Sequence, residues 1–198
     1  DVPLSWTTDV NASAYGEYIA AKRHDVPLNS LVYYTIGTGV GAGCVYDGQF
    51  IGDLGHPEMG HVRVERDPRD ANFKGICPFH GDCLEGLIAG PTFEKRTGLH
   101  GAEVPHSHEV WDIMSGYIAQ AAVQATLTLR PGKIVIGGSV SNPDFLGMVR
   151  THFANLLNGY VQLPDLASYL TMPIVSGNGS ATLGNLVLAK HKYEKVEA

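Results

Sequence analysis

The chain has 198 residues, of which 44% are hydrophobic and 17% are charged, and this balance predicts a packed core of one or two domains rather than disorder. Its formal net charge of −6 argues against general binding to nucleic acid, which requires clustered lysine and arginine. No apolar run is long enough to span a membrane, and the first ten residues lack the basic and apolar regions of a signal peptide.

The first half of the chain predicts a helix followed by a β-hairpin. Residues 10–24 place small and apolar side chains at helical spacing and end in basic residues. Residues 30–51 predict a strand, a glycine-rich turn, a second strand, a turn at Asp47-Gly48 and a third strand. Residues 52–86 show little periodicity, and a loop of this length inside a compact domain needs something to order it.

The second half alternates predicted helices and strands. A long helix follows His108 and ends near residue 131, and the β-branched run at residues 133–138 predicts a buried strand. Residues 142–158 predict a helix, residues 169–177 a strand, and the remainder a final helix for which Ser180 could be the cap. This alternation is typical of the α/β class.

A candidate metal site lies in the stretch without periodicity. Cys77, His80 and Cys83 are spaced as Cys-x2-His-x2-Cys, and His61 lies upstream. Two thiolates and two imidazoles suit tetrahedral Zn²⁺. Three cysteines are too few for a disulfide framework, so we expect a reducing cytoplasm, where such a cluster binds metal. The alternative is a loop with unrelated cysteines and histidines; Cys44 lies in a strand pattern and is expected to be a buried apolar residue.

Two glycine-rich segments are candidates for contact with a nucleotide. The segment "TIGTGVGAG" at residues 35–43 has glycine at alternate positions, which would let a polyphosphate approach the backbone near the Thr38 hydroxyl. It fits neither the dinucleotide fingerprint nor the Walker loop, and a tight hairpin is an equal alternative. The segment "IVIGGSV" ends a strand at Gly137 and Gly138, where a flat ring such as adenine could lie, although an ordinary strand end remains an alternative.

Carboxylates flank these segments. Asp9 lies just before the first helix, with Asn11 two residues later, and such an aspartate is commonly a helix N-cap. Glu58 and Glu85 lie close in sequence to the candidate metal ligands, so a bound metal would position both as hydrogen-bond partners for sugar hydroxyls. The alternative is that both are solvated loop charges. Three further histidines are expected at the surface: His56, His106 and His108.

Four motifs together resemble the sugar kinases of the ROK family, in particular their bacterial fructokinase branch. In the family's order they are "DVNASAYGE", "TIGTGVGAG", "GHPEMGH" followed by "CPFHGDCLEG", and "IVIGG", and the resemblance extends over essentially all 198 residues. It implies the two-lobed, actin-like ATPase fold, which is an α/β, ribonuclease H-like architecture. It also implies ATP with Mg²⁺, a hexose substrate, a structural Zn²⁺ and a homodimer.

The resemblance assigns a role to each motif residue. Asp9 would be the general base on the acceptor hydroxyl. Sugar hydroxyls would be bound by Asn11, Glu58, His61 and Glu85. The nucleotide would be bound by Gly37, Thr38 and Gly39 at the phosphates and by Gly137 and Gly138 at the adenosine. The zinc ligands would be His61, Cys77, His80 and Cys83.

The resemblance also predicts how the chain is divided. Residues 1–26 would be the last piece of a small N-terminal lobe that is otherwise largely missing. Residues 27–179 would form the large lobe, with the zinc loop at 56–85, and residues 180–198 would form a helix that packs back against the small lobe. The implied reaction is ATP-dependent phosphorylation of D-fructose to fructose 6-phosphate. A glucokinase or mannokinase of broad hexose specificity and a non-catalytic, sugar-sensing repressor of the same family are the alternatives.

Overall fold

The computed structural model describes residues 2–24, 27–53 and 55–197, so the predicted boundary between residues 26 and 27 lies at the edge of the described residues. The helices are α1 (Asp9–Arg23), α2 (Leu84–Ile88), α3 (Pro91–Thr97), α4 (Glu109–Leu129), α5 (Pro143–Leu157), α6 (Leu166–Tyr169) and α7 (Ser180–Glu197). The strands are β1 (Ser30–Ile36), β2 (Val40–Tyr46), β3 (Gln49–Phe50), β4 (Lys133–Gly137) and β5 (Leu170–Thr171). Among the described residues, no helix has the length and apolar character needed to cross a membrane.

A mixed five-stranded sheet lies at the centre, with the strand order β3-β2-β1-β4-β5. Strand β1 pairs antiparallel with β2 and parallel with β4, and β4 pairs parallel with β5. The register places Thr35 opposite Gly137, so the carboxyl ends of β1 and β4 meet at one edge of the sheet. The two glycine-rich segments therefore lie side by side.

Side chains alternate between two hydrophobic cores on the two faces of the sheet. Val32 and Tyr34 belong to the larger core, which includes residues of α2, α4 and α5. Leu31 and Tyr33 belong to the smaller core, which α1 completes. Because β1 is covered on both faces, it reads in sequence as a continuous apolar run rather than an alternating one.

Small residues let α1 approach both the sheet and the last helix. A Cβ at Gly43 of β2 would clash with the backbone of Val10, and one at Gly16 would collide with the carbonyl oxygen of Ser180. In turn, a Cβ at Gly184 would collide with the carbonyl oxygen of Ala12. Helix α1 is thus held between strand β2 and helix α7.

Most predicted elements are confirmed, including the first helix, the hairpin with its turn at Asp47-Gly48, the long helix and the strand that ends in two glycines. The strand predicted at residues 169–177 is wrong in extent, because pairing stops after Thr171. Pro173 has no N–H to donate to a neighbouring strand, and the N–H groups of Ile174 and Val175 donate to the Glu17 carboxylate instead. The short helices α2 and α3 were not predicted.

Candidate functional site

The four predicted metal ligands converge at one point. The ligand atoms of His61, Cys77, His80 and Cys83 all lie within 4.8 Å of one another. His61 Nδ1 is 3.5 Å from Cys83 Sγ and 3.8 Å from Cys77 Sγ, and His80 Nδ1 is 3.7 Å from Cys77 Sγ. Zinc bonds of about 2.0–2.3 Å in a tetrahedron require ligand separations of roughly 3.5 Å, so the donor set and its spacing fit this ion.

Local backbone structure brings these ligands together. Cys77 and Gly81 exchange two backbone hydrogen bonds of 3.1 and 2.9 Å, and Gly81 adopts a positive φ of 68° that closes the turn around His80. Cys83 directly precedes α2, and the Leu84 N–H donates to the chain next to His61, at the carbonyl of residue 62. Burial opposes ionisation of Cys77, but nearby backbone N–H groups of residues 79 and 80 hold its pKa below the ordinary value.

Ion pairs anchor the same loop to the helices. Asp82 accepts from Arg63 and, at 3.3 Å, from Arg66. Asp70, a nearly buried carboxylate, pairs with Arg96 of α3 at 2.7 Å and accepts a hydrogen bond of 3.0 Å from Tyr117 of α4. The loop is therefore ordered by its own side chains as well as by any metal.

Glu85 connects the metal cluster to the glycine hairpin. Its Oε1 is 4.0 Å from Nε2 of His61, the ring nitrogen on the opposite side from the thiolates. Its Oε2 accepts a 3.0 Å hydrogen bond from the Val40 N–H. A Cβ at Gly39 would approach this oxygen to 2.7 Å, which explains the glycine there. The carboxylate thus touches both of the predicted binding segments.

Glu58 and His56 lie shortly before His61 in the chain and contact each other. The Glu58 side chain is 70% exposed, and its carboxylate is 3.6 Å from Nε2 of His56. The prediction that His56 is a surface residue is wrong: its side chain is only 21% exposed, and its Nδ1 is buried with no hydrogen-bond partner among the described residues. The chain folds back on itself here, since a Cβ at Gly52 would lie 3.6 Å from the Cα of His56. His106 and His108 are exposed, as predicted.

The glycine hairpin and the end of β4 form one backbone surface. Gly37 donates to Gly39 across the turn, and Thr38 is exposed at its tip. Gly138 has a φ of +92°, and a Cβ there would collide with the backbone of Ile36. Glycine is therefore required here for the close packing of β4 against β1, whether or not a ligand also approaches this backbone. Ser139 follows, and its hydroxyl oxygen would lie 3.6 Å from a Cβ at Gly37.

Two cavities open beside this surface, and both are lined by Ser139. One, of about 400 Å³, is lined by Gly137, Gly138 and the segment 172–178. The other, of about 530 Å³, is lined by Trp111 and by residues around α3. Either volume is within the range of small-molecule sites.

Asp9 does not cap α1, and its Oδ1 accepts a 2.8 Å hydrogen bond from the N–H of Val10. The Thr8 side chain accepts from the Asn11 N–H and is the N-cap, whereas exposed Asp9 is the first helical residue. Its neighbour Val10 packs against Gly41 of β2, which places the start of α1 beside the glycine hairpin. Asn11 is 5% exposed, and its Oδ1 is buried with no hydrogen-bond partner among the residues that the structure describes. Within the described part of the chain, no hydrogen bond joins Asp9 to the metal loop.

The structure also shows polar residues that sequence reasoning missed. Glu17 is fully buried and accepts from the backbone of residues 174 and 175 and from Ser180. Asp70 was likewise not identified. Glu17 ends the motif "DVNASAYGE" but was given no role there, and Asp70 lies outside the four motifs. Cys44 is fully buried, as predicted, and burial raises the pKa of its thiol to about 12.

Known proteins similar to this chain agree with the resemblance. The model of the ROK family matches residues 1–192. The chain is 49% identical over 197 residues to a fructokinase of Lactococcus lactis subsp. cremoris, covering 98% of this chain and 66% of the relative. It is 54% identical over 192 residues to a fructokinase of Streptococcus mutans, covering 96% of this chain and 64% of the relative. The chain thus spans slightly less than two thirds of the length of these relatives.

Solved structures agree on the fold. The crystal structure of a ROK hexokinase from Thermus thermophilus superimposes with a TM-score of 0.73 at 21% identity, covering 94% of this chain and 65% of that one. At this identity the likeness concerns the fold alone, and it is the actin-like ATPase fold with a mixed sheet between helices. With the family model matched over nearly every residue, the chain belongs to the ROK family.

Proposed function

We propose that the protein containing this chain is a fructokinase, which transfers the γ-phosphoryl group of ATP to D-fructose and yields fructose 6-phosphate. The fructokinases of L. lactis and S. mutans, at 49% and 54% identity, support fructose as the substrate. Glucose and mannose are the competing substrates, because the sugar-facing residue types do not exclude them.

One observation carries the proposal: the two ring nitrogens of His61 face different groups, a thiol and a carboxylate. Its Nδ1 lies 3.5 Å from the Cys83 thiol, and its Nε2 lies 4.0 Å from the Glu85 carboxylate. A histidine whose Nδ1 binds a metal keeps its proton on Nε2, so that nitrogen is a fixed donor. A donor beside a carboxylate acceptor is a suitable pair for adjacent sugar hydroxyls, with Glu58 and Asn11 as further partners.

Asp9 is the proposed general base. Its exposed carboxylate lies at the start of α1 beside the glycine hairpin. A carboxylate that accepts the proton of the attacking hydroxyl raises the rate by about 10²–10⁴-fold. Phosphoryl transfer otherwise depends on positioning and charge neutralisation, which the remaining residues supply.

The nucleotide is proposed to lie along the joined ends of β1 and β4. The phosphates would contact Gly37, Thr38 and Gly39, and the adenosine would lie at Gly137 and Gly138, beside the cavity of about 400 Å³. Mg²⁺ would enter with ATP and neutralise phosphate charge.

Zn²⁺ is proposed as a structural ion held by His61, Cys77, His80 and Cys83. Four protein ligands leave no open position for a Lewis-acid role. The ion would fix the orientation of the His61 ring and the start of α2, which carries Glu85. Thiolate ligands require the reduced cysteines of a cytoplasmic location.

The test is a coupled assay of ADP release by the full-length gene product with fructose, glucose, mannose or no sugar. We expect turnover with fructose and a fall in kcat of about 10²–10⁴-fold in Asp9→Asn at unchanged fold. Asp144→Asn, which alters an exposed aspartate of α5, is the matched control and should keep wild-type kcat.

Each other outcome has a distinct meaning. Efficient turnover with glucose or mannose and none with fructose would replace the substrate but keep the kinase. Sugar binding without turnover of any sugar, in a folded protein that contains zinc, would favour a sugar-sensing role instead. Full activity of Asp9→Asn would remove Asp9 from the chemistry.

A further inference from the structure

We infer that Glu17 is a positioning residue that sets the nucleotide site from beneath, and this inference rests on the proposed function. Glu17 lies on α1, the helix that begins at Asp9, and its side chain is completely buried. Burial of a carboxylate costs free energy unless it is fully hydrogen bonded. The hydrogen-bond partners of Glu17 therefore indicate which part of the structure it positions.

Those partners all belong to the wall of the candidate nucleotide cavity or to the helix that follows it. Oε2 accepts from the Ile174 N–H at 2.7 Å, and Oε1 accepts from the Val175 N–H at 3.1 Å and from the Ser180 hydroxyl at 2.7 Å. Pro173 and Val175 line the cavity of about 400 Å³. The Glu17 carboxylate therefore accepts the backbone hydrogen bonds that a neighbouring strand would otherwise accept, and it fixes the backbone of residues 174 and 175.

The opposite wall of the cavity, at Gly137, meets the same segment. The Tyr33 hydroxyl lies directly beneath Gly137, because a Cβ at Gly137 would collide with it. Burial, together with the negative charge of Glu17, raises the pKa of Tyr33 to about 12. A Cβ at Gly137 would also lie 3.0 Å from Pro173, so the glycine and the 173–175 segment are in contact. The segment held by Glu17 therefore meets the opposite wall at Gly137, so a shift of this segment would change the shape of the cavity.

Helix α1 consequently carries residues that act on both substrates of the proposed reaction. Its first residue, Asp9, is placed for the sugar, whereas Glu17, on the same rigid helix, holds the segment that borders the adenosine. Loss of the Glu17 contacts should weaken nucleotide binding much more than sugar binding. The sugar-facing residues Glu58, His61 and Glu85 lie on other segments, and Asn11, although on α1, is not a partner of Glu17. A residue with a merely structural role would instead affect both substrates together.

The experiment compares Glu17→Gln with wild type in the full-length gene product. The amide keeps the size but turns an N–H₂ group toward at least one backbone N–H, which removes a charge-assisted hydrogen bond. We expect the Kd for MgADP, measured by titration calorimetry, and the KM for ATP to rise about tenfold or more, with the KM for fructose changing less than about twofold. Glu65→Gln, which alters an exposed side chain, is the matched control and should leave all three values unchanged.

Ser180→Ala keeps the test decisive if Glu17→Gln does not fold. It removes one donor and leaves the carboxylate with its two backbone partners, so it should raise the Kd for MgADP by a smaller factor in the same direction. Equal increases in the KM values for ATP and fructose, or unchanged Kd for MgADP in both variants, would overturn the inference. If wild type binds MgADP but does not phosphorylate fructose, the proposed substrate fails while the MgADP titration still decides the role of Glu17.

Discussion

Asp70 shows how a single carboxylate can order a loop. Its side chain is 5% exposed, pairs with Arg96 at 2.7 Å, and lies where the loop at residues 62–74 meets α3. Arg96 also lies 3.8 Å above the ring of Phe73, so its charge is enclosed by an aromatic face and by Asp70. Removing one member of such a pair leaves the other charge buried without compensation.

We therefore expect Asp70→Asn to lower the free energy of unfolding by about 3–5 kcal/mol, measured by urea denaturation. The control is Asp144→Asn, whose partner His106 is 3.0 Å away but whose side chain is 71% exposed, and it should cost less than about 1 kcal/mol. Equal losses in the two variants would mean that burial does not determine the effect.

Cys77 gives a second prediction at the scale of one residue. In Cys77→Ser a hydroxyl replaces a thiolate, and hydroxyl oxygen is a poor ligand for zinc in this donor set. We expect zinc content, measured by atomic spectroscopy after gel filtration, to fall from stoichiometric to near zero. Cys44→Ala should retain full zinc, because Cys44 lies outside the cluster. Zinc retained in Cys77→Ser would contradict the assigned ligand set.

The residues that sequence reasoning found differ in kind from those it missed. The spacing of Cys77, His80 and Cys83 is local, and cysteine is scarce enough in this chain for such a cluster to be conspicuous. The sequence next to Glu17 and Asp70 does not indicate their burial, because their strongest partners are distant: Glu17 binds a residue 163 positions away, and Asp70 pairs with Arg96. Burial of a carboxylate is a property of the tertiary structure, and periodicity carries no sign of it.

At the scale of elements, helical and strand periodicity predicted most of the fold. It failed after Thr171, where backbone hydrogen bonds to the Glu17 side chain take the place of strand pairing. The largely apolar run from Tyr169 to Val175 is typical of a buried strand, but only Leu170 and Thr171 form β5. Helices α2 and α3 are too short for a periodic signal. Helix α3 nevertheless has boundary signals in its own sequence, with Pro91 at its first position and Gly98 in the left-handed conformation at its end, whereas α2 begins directly after Cys83.

The crossing of α1 and α7 gives a prediction for two helices. A Cβ at Gly184 would collide with the carbonyl oxygen of Ala12, and backbone cannot move aside as a side chain can. We expect Gly184→Ala to destabilise the protein by about 1–3 kcal/mol and to lower its Tm, measured by calorimetry.

Gly147 provides the matched control for this variant. It lies inside α5, and a Cβ there would meet no atom within 4 Å. Gly147→Ala should raise stability by up to about 1 kcal/mol, because alanine is the better helix former. A stabilising effect of Gly184→Ala as well would show that the two helices are not tightly apposed at this position.

For the whole molecule, Glu85 links the metal loop to the sheet, so removal of the metal should be detectable beyond the loop. We expect a zinc chelator to increase hydrogen exchange at residues 59–88 and also at the Val40 amide, which donates to Glu85. The amides of α4 and α5 should remain protected. Increased exchange spread evenly over all helices would indicate global unfolding instead.

The packing of α1 against α7 also has a consequence for the timing of folding during synthesis. Glu17 and Ser180 are 163 residues apart, so at about 5–20 residues per second the carboxylate emerges from the ribosome roughly 10–30 s before its hydroxyl partner. The face of α1 around Gly16 contacts Ser180 and Gly184 in the folded protein, so these contacts cannot form until α7 has been synthesised. The first described helix is thus among the last to be completed.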